Sequence, residues 1–168
     1  MASVFPSIIE AKKQSEALYY RRLQNIYDLM VLLALLVAVP VTFLSDWLVN
    51  LLFGNGYQQA GAVLAIHTWA GVFVFLGVAS GNWFLAENLQ RYYFYRTAVG
   101  AFANIGLNFL LIPKYGIYGA AWATVISQAL TSVFFNVFSK EIRLVLFMQL
   151  RSLTVLGIFF RIKSTGQL

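Results

Sequence analysis

Four long runs of apolar residues constrain this chain more than any other feature of its sequence. They occupy residues 29–44, 61–86, 92–112 and 118–138. An α-helix rises about 1.5 Å per residue, so about 20 residues cross a hydrocarbon core of about 30 Å. The first run needs Ile26 or Trp47 to reach that length. Because the runs lack the ten-residue alternation of barrel strands, the sequence predicts an all-α integral membrane protein with four transmembrane helices over residues 29–138.

Composition supports a bilayer as the solvent and excludes several classes of chemistry. Hydrophobic residues make up 60% of the chain and charged residues 11%, whereas soluble domains have about 45–50% and about 25%. The absence of cysteine excludes disulfides and thiolate catalysis, and a single histidine argues against a zinc site. The acidic residues lie in loops or at span edges, and no phosphate-binding loop motif occurs. We therefore expect no enzyme, no cofactor, no metal and no nucleic-acid partner.

Basic residues indicate how the chain is oriented. Four crossings place residues 1–28, the loop near residues 87–91 and residues 139–168 on one side of the membrane. Ten of the 12 lysines and arginines lie in these segments, and Arg96 lies near the end of the third run on the same side. Only Lys114 lies opposite, which predicts that the basic side is cytoplasmic and that both termini are there. Residues 1–28 are interpreted as a cytoplasmic loop with a helix near the headgroups, and a solvated linker helix is the alternative.

A fifth hydrophobic segment, residues 144–160, lies within the cytoplasmic tail 139–168. Gln149 and Arg151 fall near its middle, and a central arginine costs about 2.5–3.5 kcal/mol to insert. Crossing would also place Arg161 and Lys163 outside. We therefore favour a peripheral or loosely packed helix over a fifth span.

A polar stripe in the third run is the main candidate for a functional site. Arg96, Gly100, Asn104 and Asn108 recur every four residues, so they share one helix face. A polar stripe in lipid must face protein or water. It either lines a hydrophilic cavity for hydroxyl-rich groups, or it bonds across to Ser127 or Gln128 of the fourth span.

Other polar and small residues complete the set of candidates. His67, Asn82 and Gln128 are further candidates for cavity lining or substrate binding, although a lone buried histidine is more often a structural hydrogen-bond donor. The spacing of Gly77 and Gly81 lets helix backbones approach closely, and Gly100 is assigned to helix packing with them.

The string IPKYGIYGAAWAT at residues 112–124, preceded by Asn104 and Asn108, resembles the polysaccharide and O-antigen flippases of the multidrug/oligosaccharidyl-lipid/polysaccharide exporter superfamily. Three other segments are similar to elements of that family: VFPSI from Val4, LLFGNGYQQAG from Leu51 and KEIRLVLFMQLRSL from Lys140. The resemblance extends from Val4 to Leu153.

The resemblance implies a fold and a function. Such flippases carry two six-helix lobes around a central cavity and move undecaprenyl-diphosphate-linked oligosaccharides across the bacterial cytoplasmic membrane. This chain matches only the last four helices of the second lobe, so we expect a C-terminal fragment that is inactive alone. Its expected partners are membrane lipid, the lipid-linked oligosaccharide, and a missing N-terminal lobe or other polysaccharide-assembly membrane proteins. The family also implies a cationic cavity for the diphosphate, for which Arg96 is the candidate.

Two other interpretations remain open from the sequence. In the first of them, the chain is a small four-span protein that acts as a homo-oligomeric transporter or as a non-catalytic assembly subunit. A cation transporter is weakened because no carboxylate lies within the spans. A membrane-bound glycosyl- or acyltransferase ranks third because the acidic pairs and His-Asp motifs of such enzymes are missing.

Overall fold

The computed structural model describes residues 14–154, and within that range every regular element is a helix. The described residues form five α-helices: α1 (Glu16–Phe53), α2 (Gln58–His67), α3 (Ala70–Ala86), α4 (Gln90–Ser132) and α5 (Arg143–Leu153). Short 3₁₀ helices, Asn55–Tyr57 and Phe134–Val137, lie in two of the connections. The predicted all-α membrane fold is confirmed.

Helix α1 joins two segments that are predicted as separate elements, the helix near the headgroups and the first span. It runs without interruption for 38 residues, about 57 Å, so it is longer than the hydrocarbon core and extends beyond it. The expected interfacial helix before residue 29 is therefore the first part of the same helix as the first span. The helix continues through Pro40 and ends before Gly54, whose φ of 76° favours glycine.

The second apolar run is divided into α2 and α3. Near the junction, backbone N–H groups bond to the carbonyl three residues earlier instead of four. Trp69 N donates to the Ile66 oxygen and Val72 N donates to the Trp69 oxygen, both at 3.2 Å. Such tightening interrupts the α-helical ladder without reversing the chain. Residues 59–86 together remain long and apolar enough for one crossing.

Helix α4 is folded back on itself at Gly116, whose φ of 57° and ψ of −135° lie outside the helical region. Across the fold, Asn104 Nδ2 donates to Ser127 Oγ at 3.0 Å, and a β-carbon at Gly100 would collide with Thr131. Both pairs are nearly symmetric about residue 116. The helix therefore forms an antiparallel hairpin with a first arm (90–115) and a second arm (117–132).

This hairpin relates the helices of the structure to the four predicted spans. In the described part of the chain, three helical stretches are long and apolar enough to cross a membrane, namely Glu16–Phe53, Gln59–Ala86 and Gln90–Val137. Because the last of them reverses at Gly116, it supplies two arms, which correspond to the third and fourth predicted spans. The second arm ends at Ser132 and not at residue 138, since Phe134–Val137 forms a 3₁₀ helix.

Helix α5 packs more tightly than the sequence predicts. Its Gln149 is fully buried and donates to Ser80 Oγ and to the Ser132 carbonyl, both at 2.8 Å, while Arg151 on the same helix is exposed. Of the two expected forms, a peripheral helix and a loosely packed helix, the structure excludes loose packing for residues 143–153, because neighbouring helices satisfy the buried amide. With 11 residues, α5 is about 16 Å long, too short to cross. Residues 155–160 of the predicted segment lie outside the described residues.

The packed core lies at the end of the bundle where α1 begins. It joins α1 to α3 and to the region around α5 through these buried side chains: Tyr19, Leu23, Tyr27, Val31, Leu76, Phe84, Ile142 and Val145. By contrast, large apolar side chains such as Phe43, Phe102 and Phe109 are exposed. An apolar exterior is expected where lipid is the solvent.

Candidate functional site

A cavity of about 490 Å³ lies between α3 and the two arms of α4. Its α3 side is apolar and small, with Val74, Gly77 and Val78. Besides Tyr93, its α4 sides carry these polar groups: Arg96, Thr97, Asn104, Thr124, Ser127, Gln128, Thr131 and Ser132. The cavity therefore combines one cation with amides and hydroxyls, which both donate and accept hydrogen bonds.

Helical periodicity explains why both arms present polar groups to the same space. On the first arm, Arg96, Gly100 and Asn104 are four residues apart and line the cavity together. On the second arm, Thr124, Gln128 and Thr131 are spaced by four and three residues and also line it. Thr124 and Thr131 were not among the residues predicted from the sequence, although their spacing with Gln128 is a visible helical signal.

Arg96 is the most unusual group in the cavity wall because it is a buried cation with incomplete hydrogen bonding. Its side chain is only 4% exposed, and Nη2 donates to the Gly77 carbonyl at 3.1 Å. Nε and Nη1 are buried without any acceptor. A buried charge is costly unless it is paired. An anion next to Arg96 would supply both the missing acceptors and the opposite charge.

Two aromatic rings lie against the Arg96 guanidinium. Its Cζ atom is 5.1 Å from the ring centroid of Phe84 on α3 and 5.1 Å from that of Tyr93 on α4. Rings within about 6 Å of a guanidinium attract it through their negative faces. In the structure, the rings and one carbonyl thus provide partial compensation for this charge.

The two asparagines of the predicted stripe serve as contacts between and along helices. Asn104 Nδ2 donates to Ser127 Oγ across the hairpin, and Asn108 Nδ2 donates to Asn104 Oδ1 at 2.9 Å. Asn104 also lines the cavity, whereas Asn108 is not part of its wall. Asn104 accordingly combines the two roles that the sequence left open, and Asn108 supports it from the next turn.

The remaining candidates divide into those at the cavity and those away from it. Gln128 is half-buried in the wall. His67 is exposed at the end of α2, and Asn82 is half-buried on α3; neither lines the cavity. Within residues 14–154, no group of three His, Cys, Asp or Glu side chains lies close enough together to hold a metal ion.

The three packing glycines all lie at close contacts. A β-carbon at Gly77 would be 2.8 Å from Ser132 Oγ, and one at Gly81 would be 3.1 Å from Tyr93 Cε2. A β-carbon at Gly100 would collide with Thr131. Gly77 and Gly81 therefore let α4 approach α3 closely, and Gly100 lets the two arms of the hairpin meet.

A second polar cluster, which the sequence did not predict, ties α5 to the bundle. Gln149 links Ser80 on α3 to Ser132 at the end of α4, and its Oε1 atom accepts from Asn136 Nδ2 at 2.9 Å. Tyr27 on α1 also donates to Ser80 Oγ, at 3.1 Å. This cluster joins α1, α3, α4 and α5 at one end, beside the wall that holds Arg96.

Comparison with known proteins identifies three relatives. This chain spans about a quarter of the length of each of them. A capsular polysaccharide biosynthesis protein, CapF of Staphylococcus aureus, is 31% identical over 100 residues, covering 60% of this chain and 25% of that protein. A protein of Haloferax volcanii named "Probable low-salt glycan biosynthesis flippase Agl15" is 25% identical over 136 residues, covering 79% and 28%. An uncharacterized membrane protein of Methanocaldococcus jannaschii is 28% identical over 123 residues, covering 69% and 24%.

No solved structure matches the chain significantly. The family described as lipid II flippase MurJ matches residues 1–160, nearly the whole sequence. The predicted resemblance to flippases of saccharide-carrying lipids is confirmed by this match and by the names of the first two relatives. The helical spans around a polar cavity agree with it, and the chain belongs to the lipid II flippase MurJ family.

Proposed function

We propose that this chain is one part of a membrane transporter that moves a lipid-linked oligosaccharide from the cytoplasmic to the outer leaflet. The observation that carries the proposal is the buried Arg96 in the wall of a polar cavity, with Nε and Nη1 lacking acceptors. Family membership and the flippase name of one relative support transport over catalysis. The carrier we favour is undecaprenyl diphosphate, bearing an O-antigen or similar polysaccharide unit.

The cavity chemistry suits the two parts of such a substrate. Arginine binds phosphate through charge-assisted hydrogen bonds, and Arg96 has two donors to offer. Sugar hydroxyls require neutral groups that both donate and accept, and Asn104, Gln128 and Thr131 are of that kind. We infer that the diphosphate binds at Arg96 and that the sugars extend along the α4 hairpin.

The position of Arg96 along α4 suits a substrate that enters from the cytoplasmic side. Arg96 lies six residues from the start of α4 at Gln90, about 9 Å along the axis. The hydrogen bonds of Tyr19 with Glu87 and of Gln24 with the Met148 carbonyl bring the starts of α1 and α4 and helix α5 to the same end. The basic residues cluster at this end, so we assign it to the cytoplasm.

We further propose that the chain works together with additional helices. A polar cavity that opens on the side of a bundle has to be covered in lipid by protein or water. Alternating access in transporters with repeated halves requires two halves that rock about a shared site. The cavity here is bounded by α3 and α4 alone, so the opposite wall belongs to another set of spans, such as the first lobe of a complete flippase.

The binding part of the proposal is tested with undecaprenyl diphosphate and the full chain in phosphatidylcholine nanodiscs. We expect Arg96→Gln to weaken binding about 10- to 150-fold, since a charged hydrogen bond contributes about 1.5–3 kcal/mol. Arg91→Gln is the matched control because Arg91 is exposed on the same helix, and we expect less than a 3-fold effect. Equal affinity of Arg96→Gln and the wild-type chain would contradict the proposal.

The need for further helices is tested by leaflet exchange and by crosslinking. Liposomes that contain only this chain should show no exchange of a fluorescent lipid-linked oligosaccharide above the protein-free rate. Crosslinking in native membranes should yield a product with a different membrane protein. Exchange by the chain alone, or a ladder of self-oligomers, would instead support the homo-oligomeric alternative.

A further inference from the structure

The guanidinium of Arg96 is enclosed in this structure, although it borders a large cavity. Its Nε and Nη1 atoms are inaccessible to solvent and have no acceptor. A ligand in the cavity therefore cannot reach these donors until a neighbouring group moves or the guanidinium shifts. The identity of the enclosing groups consequently determines how readily Arg96 becomes available.

The enclosing groups form a corner. The Phe84 and Tyr93 ring centroids are each 5.1 Å from Arg96 Cζ but only 6.5 Å from each other, far less than twice that distance. The rings therefore adjoin each other and do not sandwich the guanidinium. The Gly77 carbonyl accepts from Nη2 as the third group of the corner.

The two rings differ in their freedom to move. Phe84 is fully buried in the core and packs against Trp83 and Tyr93. Tyr93 is 44% exposed at the cavity wall, and no hydrogen bond of its hydroxyl fixes the ring within the described contacts. Phe84 is thus the fixed wall of the corner, and Tyr93 is the wall that can yield.

Gly81 sets how closely Tyr93 approaches. A β-carbon at Gly81 would lie 3.1 Å from Tyr93 Cε2, closer than ordinary contact. Gly77 and Gly81 therefore do more than allow close helix packing. The Gly77 carbonyl accepts from Arg96, and Gly81 makes room for the Tyr93 ring, so this part of α3 forms one side of the corner around the guanidinium.

We propose that Tyr93 is a positioning residue that keeps the Nε and Nη1 donors of Arg96 out of reach of the cavity and releases them when a phosphate-bearing ligand binds. The proposal rests on the proposed function, since it assigns a control to the same site. A cation–π contact of a desolvated guanidinium is worth about 0.5–2 kcal/mol. A ligand that draws the guanidinium out of this contact has to supply the free energy that the contact loses. The ring therefore lowers the apparent affinity of Arg96 for the ligand by the corresponding factor.

The test uses farnesyl diphosphate as the probe and the full chain in phosphatidylcholine nanodiscs, with farnesol as the uncharged control. Tyr93→Leu removes the ring, and we expect it to bind the diphosphate about 2- to 30-fold more tightly than the wild type. Tyr93→Phe keeps the ring and should match the wild type. A merely structural role for Tyr93 predicts the opposite sign for leucine, because a loosened site binds less well.

Nuclear magnetic resonance reports directly on the position of the Arg96 guanidinium. In the free protein the Arg96 Hε resonance should be shifted upfield by the rings, and the shift should be reduced on adding farnesyl diphosphate. Tyr93→Leu should show the reduced shift without ligand. Gly81→Ala, which pushes the ring slightly outward, should fall between the wild type and Tyr93→Leu in both shift and affinity while preserving the helix.

The outcomes separate this inference from the proposed function. Binding that depends on Arg96 but is unchanged or weakened in folded Tyr93→Leu would overturn the positioning role alone. Binding that is equal in the wild type and Arg96→Gln would overturn both. Tighter binding in Tyr93→Leu, lost again in the double variant with Arg96→Gln, would support the inference.

Discussion

Single buried polar residues carry much of the specificity of this bundle. Gln149 and Arg96 are both enclosed by helices, but their environments differ. The Gln149 amide donates to two acceptors and accepts from Asn136. Arg96 has one acceptor for its three nitrogen atoms. We interpret the satisfied residue as structural and the unsatisfied residue as the functional one.

A residue-scale prediction concerns Gln149. Replacing it by leucine keeps the approximate volume but removes its hydrogen bonds to Ser80 and Ser132, so we expect a loss of about 1–3 kcal/mol in unfolding free energy. Reversible unfolding of the purified chain in mixed micelles measures this loss. Gln90→Leu is the control because Gln90 is exposed at the start of α4. Equal stability of the two variants would argue against a structural role for the buried amide.

At the scale of elements, the α4 hairpin determines the shape of the site. Its two arms meet because Gly100 has no side chain to oppose Thr131, and because Asn104 bonds to Ser127. The reversal itself needs the positive φ of Gly116. Without that reversal, polar groups of the second arm would not face Arg96 and Asn104.

The close approach of the arms leads to an element-scale prediction. Gly100→Ala places a methyl group against Thr131, and we expect it to destabilise the folded state by about 1–3 kcal/mol. The matched control is Gly106→Ala on the same arm, where a β-carbon meets nothing within 4 Å. This control should be neutral or slightly stabilising, since alanine favours helix. Thermal unfolding of both variants checks the difference, and similar melting temperatures would refute close packing at Gly100.

At the scale of the whole molecule, packing and charge are both asymmetric between the two ends. The core joins α1, α3 and the region around α5 at one end, whereas Phe109 and Tyr115, towards the hairpin tip, are exposed. Lys114 lies at that tip, and the basic residues Arg91, Lys140 and Arg143 lie at the packed end. This arrangement agrees with an even number of crossings and a cytoplasmic packed end.

Topology is testable because the sequence contains no cysteine. We expect Lys114→Cys to react with an impermeant maleimide added to intact cells or right-side-out vesicles. Lys140→Cys should react only after permeabilisation, because one crossing, the second arm of α4, separates it from Lys114. The cysteine-free parent chain is the labelling control. Reaction of both positions from the same side would exclude the four-crossing arrangement.

The sequence alone determined the membrane class, the apolar runs and the four-residue spacing of Arg96, Gly100 and Asn104. These features are local, since hydropathy and helical period depend on neighbours within a few turns. Among the contacts of the site, the bond of Asn104 to Ser127 was one of the alternatives that the sequence left open, and the others were not predictable in the same way. Whether Tyr93 and Phe84 meet Arg96 depends on how α3 and α4 pack, and the role of Thr131 depends on the hairpin.

Tertiary structure also decided how α5 is held in the bundle. In sequence, Gln149 and Arg151 argued against a fifth crossing, but the partners that a buried amide needs were not visible. In the structure, Ser80, Ser132 and Asn136 supply those partners from two other parts of the chain, between 13 and 69 residues away. The sequence thus determined which segments are apolar, and only the packing of distant segments decided which polar groups are satisfied and which, like two nitrogens of Arg96, lack an acceptor.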